Sequence, residues 1–364
     1  MKLALAISNH GVMLGGGEHS FLDLISHLTR NWSGLATVPC DGELADKLRL
    51  RGIETHPIPL PPVRPWQIFN VLKTLKTYLH LCRNRHPVLI YANGSRAAIY
   101  GGIVGKLKKL PVVWHCRIAD RDPGLDFLLA RLSTLIVANS KTTAMRFNRN
   151  IQSKIRIVYN GIDLGWFQNN SPRKPDILGN TWRNILLVAR VSKLKRHDLA
   201  ISAFEHVAAS RPNLHLICIG ARDSSEPHWW SYLQDRSLGS PFADRIHWMG
   251  PIDDLRPWYY AADALLFPCE NESFGRVLVE AMACGLPVIA ARSGGVPEIV
   301  RHTEDGLLVT PGQEKGFTAA LDRILSDDAL RRRFGRSARK RAELFGLDGH
   351  VRNMLAVFDE VTAC

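Results

Sequence analysis

Along the chain, short uninterrupted apolar runs alternate with segments whose apolar residues recur at helical spacing. Leu3–Ser8 is an apolar run, and Phe21, Leu24, Ile25 and Leu28 mark a helix over His19–Arg30. The spacing then predicts strands at Val88–Tyr91, Val112–Cys116, Leu135–Ala138 and Ile155–Val158, with a helix at Ala97–Leu107. After a polar stretch the rhythm restarts. Strands are predicted at Ile185–Ala189, Leu214–Ile219, Ile246–Met249, Ala264–Phe267, Pro287–Ala290 and Gly306–Val309, with helices at Asp198–Ala208, Val277–Ala283 and Val296–Val300. Continuous apolar strands alternating with amphipathic helices imply parallel sheets covered on both faces. The predicted class is α/β.

The segment Gly165–Thr181 is polar and holds Pro, Gly and Asn, which marks a linker. We therefore expect two α/β domains joined near residue 170. In two facing α/β halves, ligands collect at the carboxyl ends of strands, and the cleft between the halves is the expected site.

Composition narrows the class. The chain has 364 residues, 46% hydrophobic and 22% charged, which argues against disorder. Its seven cysteines contain no CxxC pair, which excludes a zinc ribbon and points to reduced thiols and a cytosolic setting. The start MKLALAISNHGVMLGGGE reads as a strand and not a signal peptide, and no run of ~18 apolar residues offers a membrane span. The net charge of +13 is unevenly spread. Residues 1–175 hold 24 Lys+Arg against 10 Asp+Glu, whereas residues 176–364 hold 23 against 24. The basic half should attract an anionic partner. Without aromatic–basic interleaving or a known motif, nucleic acid is not expected to be that partner. Pro65–Arg85 reads as an amphipathic helix. Ile68, Phe69, Leu72, Leu75, Leu79 and Leu81 supply its apolar surface; Lys73, Lys76, Arg83 and Arg85 supply its charge. Either the apolar face packs on the core or it rests on anionic lipid.

The richest segment is Phe267–Ala290, FPCENESFGRVLVEAMACGLPVIA. A strand ends at Phe267-Pro268, a loop carries Glu270 and Glu272, and a helix carries Glu280. Within one helix, carboxylates eight residues apart would sit ~12 Å apart. With Glu272 in the loop, both can flank the helix N-terminus, whose free amides favour a phosphate. Carboxylates there accept hydrogen bonds from sugar hydroxyls. The competing reading has Glu272 as a helix cap and Glu280 in solvent; the apolar neighbours of Glu280 weigh against it. Arg190 and Lys195 follow the strand Ile185–Ala189. By themselves they read equally as a solvated basic loop, since Lys193 and Arg196 lie nearby, or as a pyrophosphate clamp. Gly15-Gly16-Gly17 lets backbone approach a ligand but lacks the dinucleotide-binding spacing. Asp120-Arg121-Asp122 has a DxD shape, yet it does not directly follow a strand.

Together these segments resemble the retaining GT-B glycosyltransferases of family 4, the glycosyltransferase group 1 proteins. The matching segments are LGGGEHS (14–20), VYNGID (158–163), VARVSKLKRHDLAISAF (188–204), ESFGRVLVE (272–280), ARSGGVPEIV (291–300) and DGLLV (305–309). Cys269 departs from the small hydroxyl residue common there. The resemblance implies two Rossmann-like domains facing across a cleft, an acceptor-binding one over 1–170 and a nucleotide-sugar-binding one over 171–345, with a C-terminal helix within 346–364 (His350–Val361) that packs back on the first; UDP is the expected base, with GDP and ADP open. It implies catalytic roles for His115, Arg190, Lys195 and Glu272. Donor contacts would come from Gly16, Gly17, Arg190, Lys195, Glu272, Ser273, Phe274, Gly275 and Glu280, with Glu280 on the ribose. It implies phosphate neutralisation without a metal and no separate cofactor. Arg117 and Arg121 are candidates for an acidic acceptor. The implied activity is sugar transfer to a glycan or lipid-linked acceptor, with a cytoplasmic protein touching the membrane peripherally. A sugar-nucleotide epimerase or a non-catalytic sugar-nucleotide-binding subunit are the alternatives.

Overall fold

The computed structural model describes residues 1–12, 15–28, 31–169 and 172–363. Leu14 of the glycine loop, Thr29 and Arg30 of the expected first helix, Asn170 and Ser171 of the expected linker, and Cys364 lie outside the described residues. The chain forms two units. One comprises Met1–Gly161 with Leu347–Cys364, and the other Ile162–Gly346.

The first unit holds seven parallel strands: β1 (Lys2–Ser8), β2 (Trp32–Val38), β3 (Glu54–Pro57), β4 (Leu89–Asn93), β5 (Val112–Cys116), β6 (Leu135–Ala138) and β7 (Ile155–Ile157). Their order is β3-β2-β1-β4-β5-β6-β7. The second unit holds six: β8 (Arg183–Val188), β9 (Leu214–Ile219), β10 (Ile246–Gly250), β11 (Ala264–Phe267), β12 (Val288–Ala291) and β13 (Gly306–Val309), ordered β10-β9-β8-β11-β12-β13. Both are doubly wound Rossmann-like sheets. Residues of β4, β5, β6, β9, β11, β12 and β13 are buried throughout, as strands covered on both faces require. The strand order reverses between β1 and β4 in one unit and between β8 and β11 in the other. Loops leaving those strands diverge, which opens a crevice at each switch point.

Most expected strands fall within one or two residues of the observed ones. Strands β2 and β3 carry no continuous apolar run: Ser33 and Gly34 interrupt the first, and the second is the polar edge sequence ETHP. The first helix runs Gly16–Ser26, three residues earlier than its apolar spacing predicts. Gly15 occupies the cap, so Gly16 and Gly17 lie in the first helical turn, where the spacing rule has no apolar residue to detect. The polar stretch after 161 is not wholly a linker. Its short helix Leu164–Gln168 belongs to the second unit, where Phe167 is buried and its carbonyl accepts from the Tyr260 hydroxyl at 2.8 Å.

The helix Leu347–Thr362 returns to the first unit. Val351, Met354, Leu355, Phe358 and Val361 join Phe21, Trp32 and Tyr91 in one core cluster. The Trp32 indole donates to Asp359 Oδ1 at 3.0 Å, and His350 Nδ1 lies 2.7 Å from the Tyr159 carbonyl. The helix Ile68–Arg85 packs Leu75, Leu79 and Leu81 against the core beside the buried Val71, Thr74, Tyr78 and Cys82. The rest of its expected apolar surface, Ile68, Phe69 (84%) and Leu72, is exposed, as are Val63 and Trp66 (70%) just before it.

Candidate active site

In the second unit, the loops leaving β8 and β11 are stitched together at the switch point. The Glu270 amide donates to the Leu194 carbonyl at 3.0 Å, and Arg196 pairs with both Glu270 and Asp198. At the centre, Lys195 Nζ donates to Glu272 Oε2 at 2.6 Å and to Cys269 Sγ at 3.3 Å. The two side chains are 23% and 16% exposed, so the pair is sheltered but still open to a ligand. Burial opposes the lysine's charge, but the Glu272 carboxylate and Cys269 outweigh it and hold the ammonium above its ordinary range. Burial likewise opposes ionisation of Glu272; Lys195 and the Phe274 amide overcome it and hold the carboxyl low. Burial pushes the Cys269 thiol up to about 12, so it stays protonated and can donate to Glu272 Oε2 at 3.6 Å. An ammonium has three N–H donors. Two serve Glu272 and Cys269, which leaves one for an incoming oxygen.

Glu272 is held from behind. Its carbonyl accepts from the Gly295 amide at 2.7 Å, and the Asn271 amide donates to Ser293 Oγ at 2.7 Å. The loop after β12 therefore fixes the loop after β11. Gly294 adopts φ +57, and a Cβ there would fall 2.0 Å from the Glu272 carbonyl oxygen. That contact requires glycine.

Arg190 stands apart from the Lys195–Glu272 pair. Its Nε lies 3.3 Å from Asp223 Oδ2, and its side chain is 44% exposed. Backbone pairing of Val191 with Ala221 at 2.8 Å and Asp223 with Val191 at 3.1 Å brings the two loops together. The guanidinium Nη atoms have no partner among the described residues. Asp223, held below the ordinary carboxylate range chiefly by hydrogen bonding from Ser225, keeps this cation in place.

Glu280 belongs to a third cluster on the helix Arg276–Ala283. Arg276 Nε donates to Oε1 at 2.8 Å and the Tyr259 hydroxyl donates to Oε2 at 3.1 Å. Glu280 is buried, which removes the solvent-exposed reading of this residue. Glu272 does accept from the Phe274 amide, at 3.5 Å, so it has some capping character. Phe274 itself is buried against Phe345, with ring centroids 5.8 Å apart. Ser273 is half-buried and Gly275, at φ +95, precedes the helix.

Gly16, Gly17 and His115 lie in the first unit. The resemblance gives His115 a sugar-contacting or electrostatic role; in the structure its side chain lies inside the unit. His115 is fully buried, with Nδ1 2.8 Å from the Tyr91 hydroxyl and 3.2 Å from Arg117 Nη2. Strand β5 is covered on both faces, so its penultimate residue stays inside the unit, and Arg117 is the residue that emerges. Burial first, then the charge of Arg117, holds the imidazole well below its ordinary range and neutral. Asp122, the second carboxylate of the DxD shape, caps the helix Pro123–Leu132 by accepting from the Leu125 amide at 3.1 Å. Arg121 is exposed and bonds Asn148.

Sequence reasoning missed Asp223, Tyr91 and Asn93, and carried Asn160 and Ser293 only inside the segments VYNGID and ARSGGVPEIV, with no role for either. Sheet order and neighbouring loops bring these residues into place.

Residues 173–341 match the family model for glycosyl transferases group 1, and residues 14–166 match glycosyltransferase family 4. A D-inositol 3-phosphate glycosyltransferase of Thermobispora bispora is 30% identical over 277 residues, 71% of this chain and 65% of its own length. That of Jonesia denitrificans is 32% identical over 218 residues, 57% and 51% respectively. The chain thus spans less than two thirds of the length of these curated relatives. Among solved structures, Anabaena Alr3699/HepE in complex with UDP-glucose has a TM-score of 0.83 at 22% identity, covering 98% of this chain and 99% of that one. A glycosyltransferase from Rickettsia africae ESF-5 has a TM-score of 0.86 at 17% identity, covering 99% and 98%.

Proposed function

The chain belongs to the family 4 glycosyltransferases of GT-B fold, and from that premise we propose that it moves a sugar from a UDP-linked donor to an acceptor hydroxyl with retention of anomeric configuration. The observation that carries this reading is the Lys195–Glu272 contact at the β8/β11 switch point, with the open Arg190 on the same β8 loop. A nucleoside diphosphate needs cations on its leaving oxygens, and a sugar needs acceptors for its hydroxyls. Lys195 and Arg190 supply the first; Glu272 Oε1 and Glu280 supply the second.

In the proposed reaction the bond from the anomeric carbon to the diphosphate oxygen breaks. The cations stabilise the charge that develops on that oxygen. The acceptor oxygen bonds the anomeric carbon from the same face, and its proton passes to the leaving diphosphate. No protein carboxylate needs to form a covalent intermediate. Cell-surface glycan, lipopolysaccharide and glycolipid precursors are the acceptor classes we favour. The relatives' name adds a phosphorylated polyol.

A thermal-shift screen against nucleotide sugars tests the donor. A matching donor at a hundredfold excess over its Kd should stabilise the protein by about 2.7 kcal/mol. Glu280→Gln, which keeps the shape of the Arg276–Tyr259 cluster, should lose most of that response. An undiminished response contradicts the ribose assignment. Donor binding without transfer or hydrolysis would favour the non-catalytic subunit, and interconversion of sugar nucleotides the epimerase.

No helix among the described residues is long and apolar enough to cross a membrane. We propose instead that the exposed face at Val63, Trp66, Ile68, Phe69 and Leu72, with Arg64, Lys73 and Lys76, rests on an anionic lipid surface. Arg64 lies 5.3 Å from the Trp66 ring, so charge and aromatic surface share one patch. Flotation with phosphatidylglycerol vesicles should recover the protein at low salt, and Trp66→Ser with Phe69→Ser should cut recovery severalfold. Equal recovery of the double variant would contradict this face.

A further inference from the structure

Arg117 is a cation without a counter-charge. Its guanidinium donates from Nε to Asn93 Oδ1 at 2.5 Å, from Nη1 to Asn160 Oδ1 at 2.7 Å, and from Nη2 to the Tyr91 hydroxyl at 3.4 Å and His115 Nδ1 at 3.2 Å. Every one of these partners is neutral. No carboxylate among the described residues pairs with it, whereas Arg146, the next deeply placed arginine of this unit, is matched by the buried Asp126. A guanidinium only donates, so His115 Nδ1 must be the accepting nitrogen and the imidazole proton sits on Nε2. The imidazole therefore presents a lone pair to Arg117 and adds no second charge.

The four partners come from three places in the unit. Tyr91 and Asn93 lie on β4, His115 is the penultimate residue of β5, and Asn160 lies in the turn after β7, where it also accepts from Ser20 Oγ at 3.2 Å. Holding one arginine on four neutral side chains costs desolvation that no ion pair offsets. A part-buried cation of this kind favours an anion brought from outside. A second feature converges there. The Arg117 side chain passes under the first turn of the helix Gly16–Ser26, with its Cδ 3.4 Å from where a Gly17 Cβ would stand, and Asn93 Nδ2 reaches the Gly17 carbonyl at 3.5 Å. First-turn amides carry partial positive charge. A side chain at Gly17 would crowd this approach.

We propose that Arg117, braced by Asn93, Asn160, Tyr91 and His115, forms an oxyanion site in the first unit that takes a phosphate-type group carried by the acceptor. This deepens the transferase reading and rests on it. Arg117 is the binding residue, and His115 is a positioning residue that acts through it. The same chemistry could be met by the donor's diphosphate, so the test separates the two sources.

The experiment titrates inorganic phosphate into the full chain already saturated with UDP, and reads the thermal shift or heat. With the donor's diphosphate position filled, phosphate should still stabilise the wild-type protein. Arg117→Gln should weaken the apparent phosphate affinity at least tenfold, while Arg131→Gln, on an exposed arginine in the last turn of the helix Pro123–Leu132 of the same unit, should leave it unchanged. Because Arg117→Gln disturbs a buried network, Asn93→Asp provides a second variant. It keeps the arginine, places a carboxylate beside it, and should abolish the phosphate response. A phosphate response that disappears once UDP is present would assign the site to the donor and overturn the proposal. So would an Arg117→Gln protein that titrates like wild type. Nucleotide binding is read in the same experiment: absence of UDP, GDP and ADP binding in the wild type sinks the transferase reading itself, whereas normal UDP binding with an Arg117-independent phosphate response sinks this inference alone.

Discussion

Lys195→Ala is expected to lower kcat/KM for sugar transfer by about 10²- to 10³-fold, the usual effect of removing one donor that stabilises charge in a transition state. The effect should fall mainly on kcat. The ammonium meets Glu272 in the resting protein, and its remaining N–H becomes useful as charge grows on the departing diphosphate. The substitution also strands Glu272 and Cys269. Because both ion-pair partners retain some solvent, the accompanying loss of stability should be modest, about 1–3 kcal/mol. Glu272→Gln separates the two effects. It keeps the side-chain shape and releases Lys195, so the variant should fold well yet lose sugar affinity. The pH profile supplies a further check. Glu272 is held below its usual range and Lys195 above its own, so the pair persists across neutral pH. Its contribution to stability, present above the unfolded Glu pKa of about 4.3, is lost only as pH falls through the lowered folded value. An activity profile that rises or falls steeply between about pH 6 and pH 8 because of this pair would contradict the assignment. Steady-state kinetics with a Lys195→Ala protein of near-wild-type kcat/KM would do the same.

The second large effect is expected at Gly294→Ala, a position that touches no ligand in this account. At φ +57 an alanine is strained, and its Cβ would lie 2.0 Å from the Glu272 carbonyl. The obstacle is backbone and cannot swing aside, so the loop after β12 must move and the Glu272 loop with it. Strain at a left-handed position is of order 1–3 kcal/mol, and for a unit of this size roughly 2 kcal/mol lowers Tm by about 4–8 °C. Donor affinity should fall as well, since the Gly295 amide no longer holds Glu272. Gly349→Ala is the matched control: it lies in the helix Leu347–Thr362, and nothing stands within 4 Å of the added methyl. Helix propensity predicts that this control is neutral or slightly stabilising. Differential scanning calorimetry of the two proteins decides the matter; equal Tm values would show that the close approach at Gly294 does not constrain the site.

The sequence carried the parts of the fold that are written as local pattern. Strands such as Val112–Cys116 and Ala264–Phe267 are apolar runs buried on both faces, and their positions are legible residue by residue. Strand β3 is not, because an edge strand needs no apolar run, and the polar ETHP pairs in parallel with β2. The start of the first helix was hidden because its first turn is glycine. In the helix Ile68–Arg85, apolar residues lie on more than one side, and the inward face is decided by what packs on it. Thr74 is buried there because its hydroxyl reaches the Pro59 carbonyl at 2.9 Å, while Phe69 is left outside.

The candidate site divides in the same way. Lys195 and Glu272 sit in motifs, and sheet order brings their loops together. Asp223 is an ordinary loop residue, and Ser293 sits in a matched segment without a role of its own there; the importance of both comes from which strands are neighbours. For His115, its place near a strand end did not tell whether the side chain would face outward or inward. Its strand does lead to the switch region, but burial hands the surface position to Arg117, two residues on.

The most direct measurement is a crystal structure of the protein with UDP. The account predicts the diphosphate within hydrogen-bond distance of Lys195 Nζ and the Arg190 guanidinium, and the ribose hydroxyls at Glu280. A nucleotide seated away from the β8 and β11 loops, with Lys195 and Glu272 undisturbed and remote from it, would contradict the account.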